Sequence, residues 1–233
     1  KAKSSREEVT VLYSNCQSIL SKLTDLKTQI YNQRNKPAII SLCETWTHSN
    51  VTNDELSLSG GYSLKIRADR TDTTRGCGGG ILVYVREDVI AHEINYPQLD
   101  AFNQAVCLKI LTKSRTIKLF TIYRSPNSQP HNDSALENLL RLSDKDSIFI
   151  GDFNYPDVDW PSMTGKTPKG RSFVDVTMDS FLHQLVDFPT RKENILDLVL
   201  VGDPSLVEDV QCAGKIGSSD HDAINFVIRQ SPL

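Results

Sequence analysis

The segment 148–154 reads Ile-Phe-Ile-Gly-Asp-Phe-Asn, an uncharged stretch that ends in an acid and an amide. Its β-branched and aromatic residues predict a strand buried inside a sheet. Because side chains alternate along an extended chain, Asp152 and Asn154 are expected to face one cleft, with Phe153 turned into the packing. Strand ends in α/β proteins often carry chemistry, since the following loop is anchored yet open to solvent. The segment therefore predicts an α/β protein with a polar site at a strand end.

Two earlier segments repeat this pattern. Val9–Asn15 is predicted to be a strand that ends on an amide, and 38–43 a second strand followed by Glu44. Between them a helical stripe is formed by Leu23, Leu26 and Ile30. Continuous apolar strands of this kind imply that both faces of the sheet are covered.

The rest of the chain predicts many strands and few helices. Further strands are expected at 62–66, 81–85, 105–111, 117–123, 195–201, 207–213 and 223–228, with a short one starting at 185. Asp133 is expected to cap a helix carrying Leu136, Leu139, Leu140 and Leu142. Ser172 is expected to cap another, with Phe173, Val176 and residues 181–182 on one face. The pattern favours one α/β domain over residues 9–230, with two packed sheets, outer helices and a flexible segment 1–8 before it.

The charge balance excludes a globally basic protein. The chain has 233 residues, a net charge of −3 and a pI near 6.0. Positive charge for a nucleic acid would have to be local, and the two candidate clusters are Arg67, Arg70 and Arg75, and Lys166, Lys169 and Arg171. Composition alone favours solvated loops for both clusters.

Cysteine spacing and hydropathy exclude two further classes of protein. The 5 cysteines contain no Cys-x-x-Cys pair, which argues against zinc and a disulfide framework and favours a reducing compartment. Cys16, Cys43 and Cys107 lie in or beside apolar runs and are expected to be buried. Neither a signal peptide nor a membrane span is predicted.

Several polar residues interrupt apolar strands. Asp197 lies within an otherwise apolar run, and such an acid is costly unless it is paired or useful. Asp220 and His221 lead directly into the last strand, so Asp197 and His221 are candidates for a carboxylate–imidazole pair. A capped strand start is an equally good explanation of the Asp-His dipeptide alone.

Glu44 and Asn15 together suit a magnesium ion, which accepts one or two carboxylates and takes other ligands from water and phosphate. The hydroxyl of Tyr123, at the end of its strand, could bind a phosphate oxygen, although a core or rim position is the commoner role for such a residue. Trp46 and Trp160 are expected to pack loops.

Six motifs occur in the order typical of the exonuclease-endonuclease-phosphatase superfamily. They end in Asn15, Glu44, Tyr123, Gly151-Asp152-Phe153-Asn154, Leu196-Asp197 and Ser219-Asp220-His221. The local sequences Glu-Thr-Trp at 44–46 and Tyr-Pro-Asp-Val-Asp-Trp at 155–160 resemble those of the endonuclease domain of non-LTR retrotransposons, in particular the Jockey-like branches of the LINE type. The resemblance covers residues 9–228 and implies a four-layer α/β/β/α sandwich similar to apurinic/apyrimidinic endonucleases and DNase I.

The resemblance implies a magnesium-dependent DNA nickase, with manganese as a possible substitute. Glu44, Asn15 and Asp220 would hold the metal, Asp152 would deprotonate water, and His221 braced by Asp197 would stabilise the phosphorane charge. Contacts to DNA or phosphate are expected from Tyr123, Asn154, Arg70, Thr190, Arg191 and Ser219. The nick would leave a 3′-hydroxyl that primes reverse transcription.

One position departs from the superfamily pattern. Several repair members have an aspartate two residues after the asparagine of the first strand, where this chain has Gln17, which argues against a second metal on that side and against assuming abasic-site activity. The loop 189–194, in the place of the hairpin that relatives insert into DNA, is short and predicts modest sequence selectivity through DNA shape.

The expected partners are double-stranded target DNA and a reverse transcriptase domain that follows in the same polyprotein. A monomeric domain that acts in the nucleus after cytoplasmic synthesis, without a membrane, is expected. Two alternatives stay open: another superfamily enzyme, such as an abasic-site endonuclease or a phosphatase acting on inositol phosphates or sphingolipids, and an inactive DNA-binding domain.

Overall fold

The computed structural model describes residues 8–33, 35–69, 78–102 and 104–229. In chain order its strands are β1 (Val9–Asn15), β2 (Ile39–Cys43), β3 (Tyr62–Ala68), β4 (Ile81–Arg86), β5 (Ala91–Ile94), β6 (Ala105–Leu111), β7 (Thr116–Tyr123), β8 (Ser147–Asp152), β9 (Val158–Asp159), β10 (Thr164–Gly165), β11 (His183–Gln184), β12 (Asp197–Val201), β13 (Val207–Lys215) and β14 (Asp222–Ile228). The helices are α1 (Leu23–Asn32), α2 (Pro97–Ala101), α3 (Pro130–Leu140) and α4 (Pro168–Asp179), with a 3-10 turn at Pro204–Leu206.

Two six-stranded sheets form the centre of the fold. The first has the order β13-β14-β1-β2-β4-β3, and the second has the order β11-β12-β8-β7-β6-β5. The pairs β1–β2 and β7–β8 are parallel, and the other described pairs are antiparallel. Strands β9 and β10 form a separate short hairpin. The predicted class, two mixed sheets flanked by helices, is confirmed.

Three apolar clusters separate four layers. The central cluster packs the inner faces of the two sheets against each other. A second lies between the second sheet and helices α2, α3 and α4, and a third lies between the first sheet and α1. Each strand of the central pairs contributes alternate residues to an inner and an outer cluster, as the two-residue period of a strand requires. Fully burying one leucine or isoleucine contributes about 2 kcal/mol, so these clusters dominate the stability of the fold.

Several predicted helix boundaries are wrong. Helix α4 begins at Pro168 with Thr167 as its cap, so Ser172 lies inside the helix. Phe181 lies beyond the helix and is 81% exposed rather than packed. Asp133 does not cap α3, which begins at Pro130, and instead forms a buried ion pair. Proline at the first helical position explains both early starts, because its missing N–H has no partner in a first turn anyway.

Other predictions from the sequence have mixed outcomes. The short strand expected from residue 185 is at His183–Gln184, while β5, β9, β10 and α2 were not predicted. Cys16, Cys43 and Cys107 are buried free thiols, as predicted. Among the described residues, no helix combines the length and the apolar character needed to cross a membrane.

Candidate active site

The site lies where the inner faces of the two sheets meet at one end of the sandwich. On β1 the inward row Val9, Val11, Tyr13 leads by its two-residue period to Asn15. On β8 the same period carries the inward row to Asp152. The sheet register places Asp152 beside Asp197 on one side and beside Tyr123 on the other. The apolar inter-sheet core therefore becomes a polar cluster at its end.

Gly151 allows this close approach. A Cβ atom at Gly151 would lie 1.9 Å from the carbonyl oxygen of Ile122 on the neighbouring strand β7. Any side chain there would push β8 away from β7 and displace Asp152, the next residue. The glycine before Asp152 is thus a packing requirement of the paired strands.

The carboxylate of Asp152 is held from three directions. Its Oδ2 accepts hydrogen bonds from Asn15 Nδ2 at 2.9 Å and Asn154 Nδ2 at 3.2 Å. Its Oδ1 accepts from the backbone N–H of Asn154 at 3.0 Å. Burial raises the pKa of Asp152 well above its usual range, the charge of Asp197 adds to this, and His221 opposes it. The result is a fixed carboxylate of raised basicity.

His221 is paired with Asp197 as predicted. Its Nδ1 donates to Asp197 Oδ2 at 2.6 Å, and its Nε2 lies 3.9 Å from Asp152 Oδ2. Burial alone would lower the pKa of His221, but the hydrogen bond and charge of Asp197, with the charges of Asp152 and Asp220, raise it. An imidazolium is therefore stabilised beside the carboxylate of Asp152.

Tyr13 is a member of this cluster that was not predicted. Its hydroxyl donates to Asp197 Oδ1 at 2.8 Å and lies 3.0 Å from Cys43 Sγ. Burial, followed by the charge of Asp197, raises the pKa of Tyr13 well above its usual range. The signal was present in the sequence, since Tyr13 shares the inward row of β1 with Asn15.

We call Asp152, Asp197 and His221 the acid–base corner. One potential ligand atom from each lies within 4.8 Å of the others, so the three could together hold a cation. The pairing of His221 Nδ1 with Asp197 Oδ2 already uses one atom of each of those two residues. That use favours a proton-handling role for the corner.

We call Asn15, Glu44 and Asp220, the three residues predicted to hold a metal, the oxygen corner. Asn15 Oδ1 and Asp220 Oδ1 are buried oxygens without a hydrogen-bond partner. Glu44 directly follows β2, is 7% exposed, and accepts a hydrogen bond at Oε2 from the indole N–H of Trp46. An all-oxygen donor set with two carboxylates and an amide suits magnesium or manganese. The residues predicted to hold a metal therefore fit a hard divalent cation.

Asp220 is also engaged by Arg191. The guanidinium of Arg191 contacts Asp220 Oδ2 at 2.7 Å and 2.8 Å, and Gln17 Oε1 accepts from the Asp220 backbone N–H at 3.3 Å. Burial alone would raise the pKa of Asp220, but the hydrogen bond and charge of Arg191 lower it overall. Gln17 thus contributes a neutral amide next to Asp220, at the position where the sequence departs from the superfamily pattern.

Two residues expected to contact DNA are buried and bind the backbone of the site. Thr190 is 0% exposed, and its Oγ1 accepts from the backbone N–H groups of Leu196 and Asp197 at 3.0 Å each. Ser219 is 2% exposed, donates to the Asn15 carbonyl at 2.8 Å and accepts from the His221 N–H at 3.2 Å. In this structure both have a scaffolding position, which does not fit the expected DNA contacts. Arg191, in the same loop, is partly exposed and pairs with Asp220.

Arg67, the described member of the first basic cluster, binds within the fold. The guanidinium of Arg67 binds Asp69 at 2.8 Å and donates to the carbonyls of His48 and Val51, so it ties β3 to the loop after Glu44. Arg67 is therefore an internal brace, while Arg70 and Arg75 lie outside the described residues. In the second cluster, Lys169 pairs with Asp133 at 3.3 Å.

Tyr123 and Asn154 lie at the site, and the structure adds contacts of each that the sequence did not predict. Tyr123 is 8% exposed, and its ring belongs to the inter-sheet core. Asn154 has a positive φ of 53°, and its Nδ2 donates both to Asp152 and to the Arg124 carbonyl. Arg124 is a further residue that sequence reasoning missed, although a charge directly after an apolar strand was the available signal.

Comparisons with known proteins agree with this fold. Residues 117–225 match the model of the family described as endonuclease-reverse transcriptase. Among curated proteins no sequence match is found. The endonuclease domain of TRAS1, a telomere-specific non-LTR retrotransposon, superposes with a TM-score of 0.72 at 21% identity, covering 97% of this chain and 100% of that domain.

Two further solved structures share the fold. The AP endonuclease LMAP from Leishmania major gives a TM-score of 0.75 at 16% identity over 99% of this chain and 90% of that one. The 3′ phosphatase NExo from Neisseria, bound to product DNA hairpin, gives 0.69 at 14% identity over 94% and 99%. The resemblance predicted from the motifs is confirmed: the chain has the fold of the exonuclease-endonuclease-phosphatase superfamily and matches the endonuclease-reverse transcriptase family over residues 117–225.

Proposed function

We propose that this chain is a divalent-metal-dependent endonuclease that nicks DNA by hydrolysing a phosphodiester bond. The observation that carries the proposal is the buried Asp152 carboxylate, fixed by Asn15 and Asn154 and placed 3.9 Å from the His221 imidazole. A positioned carboxylate beside an imidazole whose pKa is raised suits in-line attack of water on a phosphodiester, because one group can accept the proton of water and the other can stabilise phosphoryl charge.

The residues of the acid–base corner have separate tasks in this mechanism. Asp152 accepts a proton from the attacking water, whose oxygen bonds to phosphorus while the bond from phosphorus to the 3′-oxygen breaks. The leaving oxygen takes a proton from solvent water and becomes the 3′-hydroxyl, and the phosphate stays on the 5′ side. His221, oriented through Nδ1 by Asp197, presents its Nε2 N–H to the charge that develops on the phosphoryl oxygens.

Glu44, Asn15 and Asp220 would hold the cation, for which magnesium is proposed and manganese is the expected substitute. When bound, such an ion supplies Lewis-acid stabilisation of the phosphate charge. Tyr123, at the end of β7 beside Asp152, is proposed to contact the scissile phosphate from the second sheet.

The biological setting follows the likeness to the TRAS1 domain. We propose double-stranded DNA as substrate, a 3′-hydroxyl that primes reverse transcription, a reverse transcriptase domain in the same polyprotein, and action in the nucleus by a monomeric domain. A net charge of −3 opposes binding of a polyanion, so other segments of the element are proposed to add affinity.

Supercoiled plasmid relaxation tests the activity. The wild-type protein with magnesium should convert supercoiled plasmid to open circles whose ends a DNA polymerase extends, and EDTA should stop the reaction. Asp152→Ala should reduce the nicking rate by about 10³-fold, because general-base catalysis contributes on that order. The control Asp175→Ala changes an exposed acid of α4 and should nick at the wild-type rate. Nicking by Asp152→Ala at the wild-type rate would exclude the mechanism.

The fold shared with LMAP supports a second candidate, cleavage at abasic sites. The neutral Gln17 next to Asp220 favours intact DNA instead, because an amide binds a divalent cation less strongly than a carboxylate. Matched duplexes with and without one abasic analogue separate the two: a strong preference for the abasic duplex would support the repair activity.

A further inference from the structure

Arg124 occupies a position between the active site and the helical layer. It directly follows β7 and is 2% exposed. Its Nε donates to Asp133 Oδ1 at 2.8 Å and its Nη2 donates to Asp133 Oδ2 at 3.1 Å, which ties it to α3. A bidentate pair of this kind fixes both the charge and the plane of the guanidinium. The side chain is therefore immobilised on α3.

The remaining guanidinium nitrogen holds the turn that follows Asp152. Nη1 of Arg124 donates to the carbonyl of Asn154 at 2.9 Å and, more weakly, to that of Phe153 at 3.3 Å. The guanidinium also lies over the ring of Tyr155, 3.9 Å from its centroid. Three consecutive residues of the turn thus contact one buried cation.

The backbone of Arg124 completes the attachment. Its N–H donates to the Asp152 carbonyl at 2.8 Å, and its own carbonyl accepts from Asn154 Nδ2 at 3.1 Å. Arg124 therefore contacts the segment 152–155 through backbone and side chain at once.

Asn154 adopts the left-handed region, with a φ of 53°. Asparagine tolerates that region better than most residues with a side chain, and the contacts from Arg124 hold the turn in it. In it, Asn154 gives Asp152 both its backbone N–H and its side-chain N–H. If the turn relaxes, Asp152 loses both contacts and its orientation.

We propose that Arg124 is a positioning residue for catalysis: anchored on Asp133, it holds the Phe153–Asn154 carbonyls so that Asn154 orients the Asp152 carboxylate. The inference rests on the proposed hydrolytic role of Asp152. It assigns to the residue after Tyr123 a task that no motif of the sequence indicated.

Two substitutions of Arg124 and one control test the role. Arg124→Met removes the charge, and Arg124→Lys keeps a cation near Asp133 but lacks the planar fork that reaches Asp133 and the turn together. Lys118→Met is the control, since Lys118 lies on the same strand at its other end and pairs with Asp144 at 2.6 Å. Each variant is first compared with the wild type in thermal unfolding.

Two readouts are then measured on the folded variants. For plasmid nicking, Arg124→Met should lower kcat by about 100-fold and Arg124→Lys by about tenfold with little change in KM, because a misplaced base slows the step after binding. Independently, the backbone amide of Asn154 should exchange with solvent about tenfold faster in Arg124→Lys while the Val199 amide keeps its protection. Lys118→Met should change neither readout.

The outcomes separate the positioning role from the activity. If folded Arg124→Lys keeps the wild-type kcat, if only its KM rises, or if the Asn154 amide stays protected, the positioning role is overturned. If the wild type does not nick DNA but Asn154 exchange still accelerates, the proposed function fails and the structural link from Arg124 to Asn154 stands.

Discussion

The two corners of the site differ in how completely the protein itself holds them. In the acid–base corner, Asp152 accepts hydrogen bonds at both oxygens, and Asp197 binds Tyr13 with one oxygen and His221 with the other. In the oxygen corner, Asn15 Oδ1 and Asp220 Oδ1 are buried acceptors without a donor. Glu44 itself has a positive φ of 55° directly after its strand.

The difference follows from where the residues lie. Asp152 and Asp197 are the paired ends of two adjacent strands, so the sheet register fixes their separation. In the oxygen corner Asn15 ends β1, whereas Glu44 and Asp220 lie outside the strands. His221 of the acid–base corner also precedes its strand, and its hydrogen bond to Asp197 fixes it instead. The acid–base corner is therefore preorganised by the fold, which is how an electrostatic catalyst avoids reorganisation during reaction. The oxygen corner presents acceptor atoms that a cation would satisfy.

Asp197→Asn is expected to give the largest change in nicking rate, and it tests the difference between the two corners. The amide can no longer hold the His221 imidazolium or its tautomer, so the nicking rate should fall by about 10³-fold. Because the defect lies in the preorganised corner, raising the magnesium concentration should not restore the rate. Plasmid nicking across a magnesium titration measures both points.

Tyr13→Phe is the matched control for that variant. It removes the second hydrogen bond to Asp197 but leaves the Asp197–His221 pair, so a loss of only about tenfold is expected. Recovery of Asp197→Asn at high magnesium would contradict the comparison, because it would make the two corners interdependent.

Much of this arrangement could be predicted from the sequence, because several of its residues lie at the ends of strands that the sequence pattern identifies. The period of two along β1 and the Gly-Asp-Phe-Asn end of β8 place Asn15 and Asp152 on the inner face without knowledge of contacts. The Asp197–His221 pair followed from an acid that would otherwise be costly in an apolar strand. These predictions depend on local pattern alone.

The contacts that cross between elements could not be predicted in this way. Arg124 joins β7 to α3 and contacts the turn 152–155, which lies far from Arg124 in sequence. Arg67 joins β3 to the loop after Glu44, which is also distant in sequence. Thr190 has the residue type of a DNA contact, but its hydroxyl is used inside the fold. Such assignments depend on tertiary packing, which sequence periodicity does not report.

A second prediction concerns stability, because the buried Arg124–Asp133 pair contacts the turn that follows Asp152. Burial alone would raise the pKa of Asp133, but Arg124, Ser128 and Lys169 lower it overall. The stabilisation is therefore present above the unfolded pKa of about 4 and is lost as pH falls through the lower folded value. Asp133→Asn should reduce the unfolding free energy at pH 7 by about 3 kcal/mol, since it leaves the arginine charge unpaired.

Urea unfolding at several pH values measures this effect. The difference between wild type and Asp133→Asn should stay constant from pH 7 to about pH 5 and shrink below about pH 4, as the wild-type carboxyl protonates. Asp175→Asn, on the exposed face of α4, is the control and should follow the wild type. A difference that grows toward low pH would mean that the Asp133 pair does not stabilise the fold.

The smallest expected effect, on the magnesium concentration needed for nicking, tests the role of the oxygen corner. The indole N–H of Trp46 is the hydrogen-bond donor to Glu44 Oε2, and donors of this kind orient a metal ligand. Trp46→Phe keeps an aromatic ring but removes the N–H, so the magnesium concentration for half-maximal nicking should rise by about threefold, against about thirtyfold for Glu44→Gln. The maximal rate of Trp46→Phe should stay near that of the wild type, in contrast with Asp197→Asn.

A binding measurement separates metal affinity from activity. The chain has 2 tryptophans, so Trp160→Phe leaves Trp46 as the only indole. Its fluorescence should change as manganese or magnesium is added, and Glu44→Gln in the same background should shift that titration to higher concentration. If the fluorescence does not change with the cation although nicking still requires it, the metal does not bind at Glu44. The acid–base corner would then be the remaining candidate for the metal site.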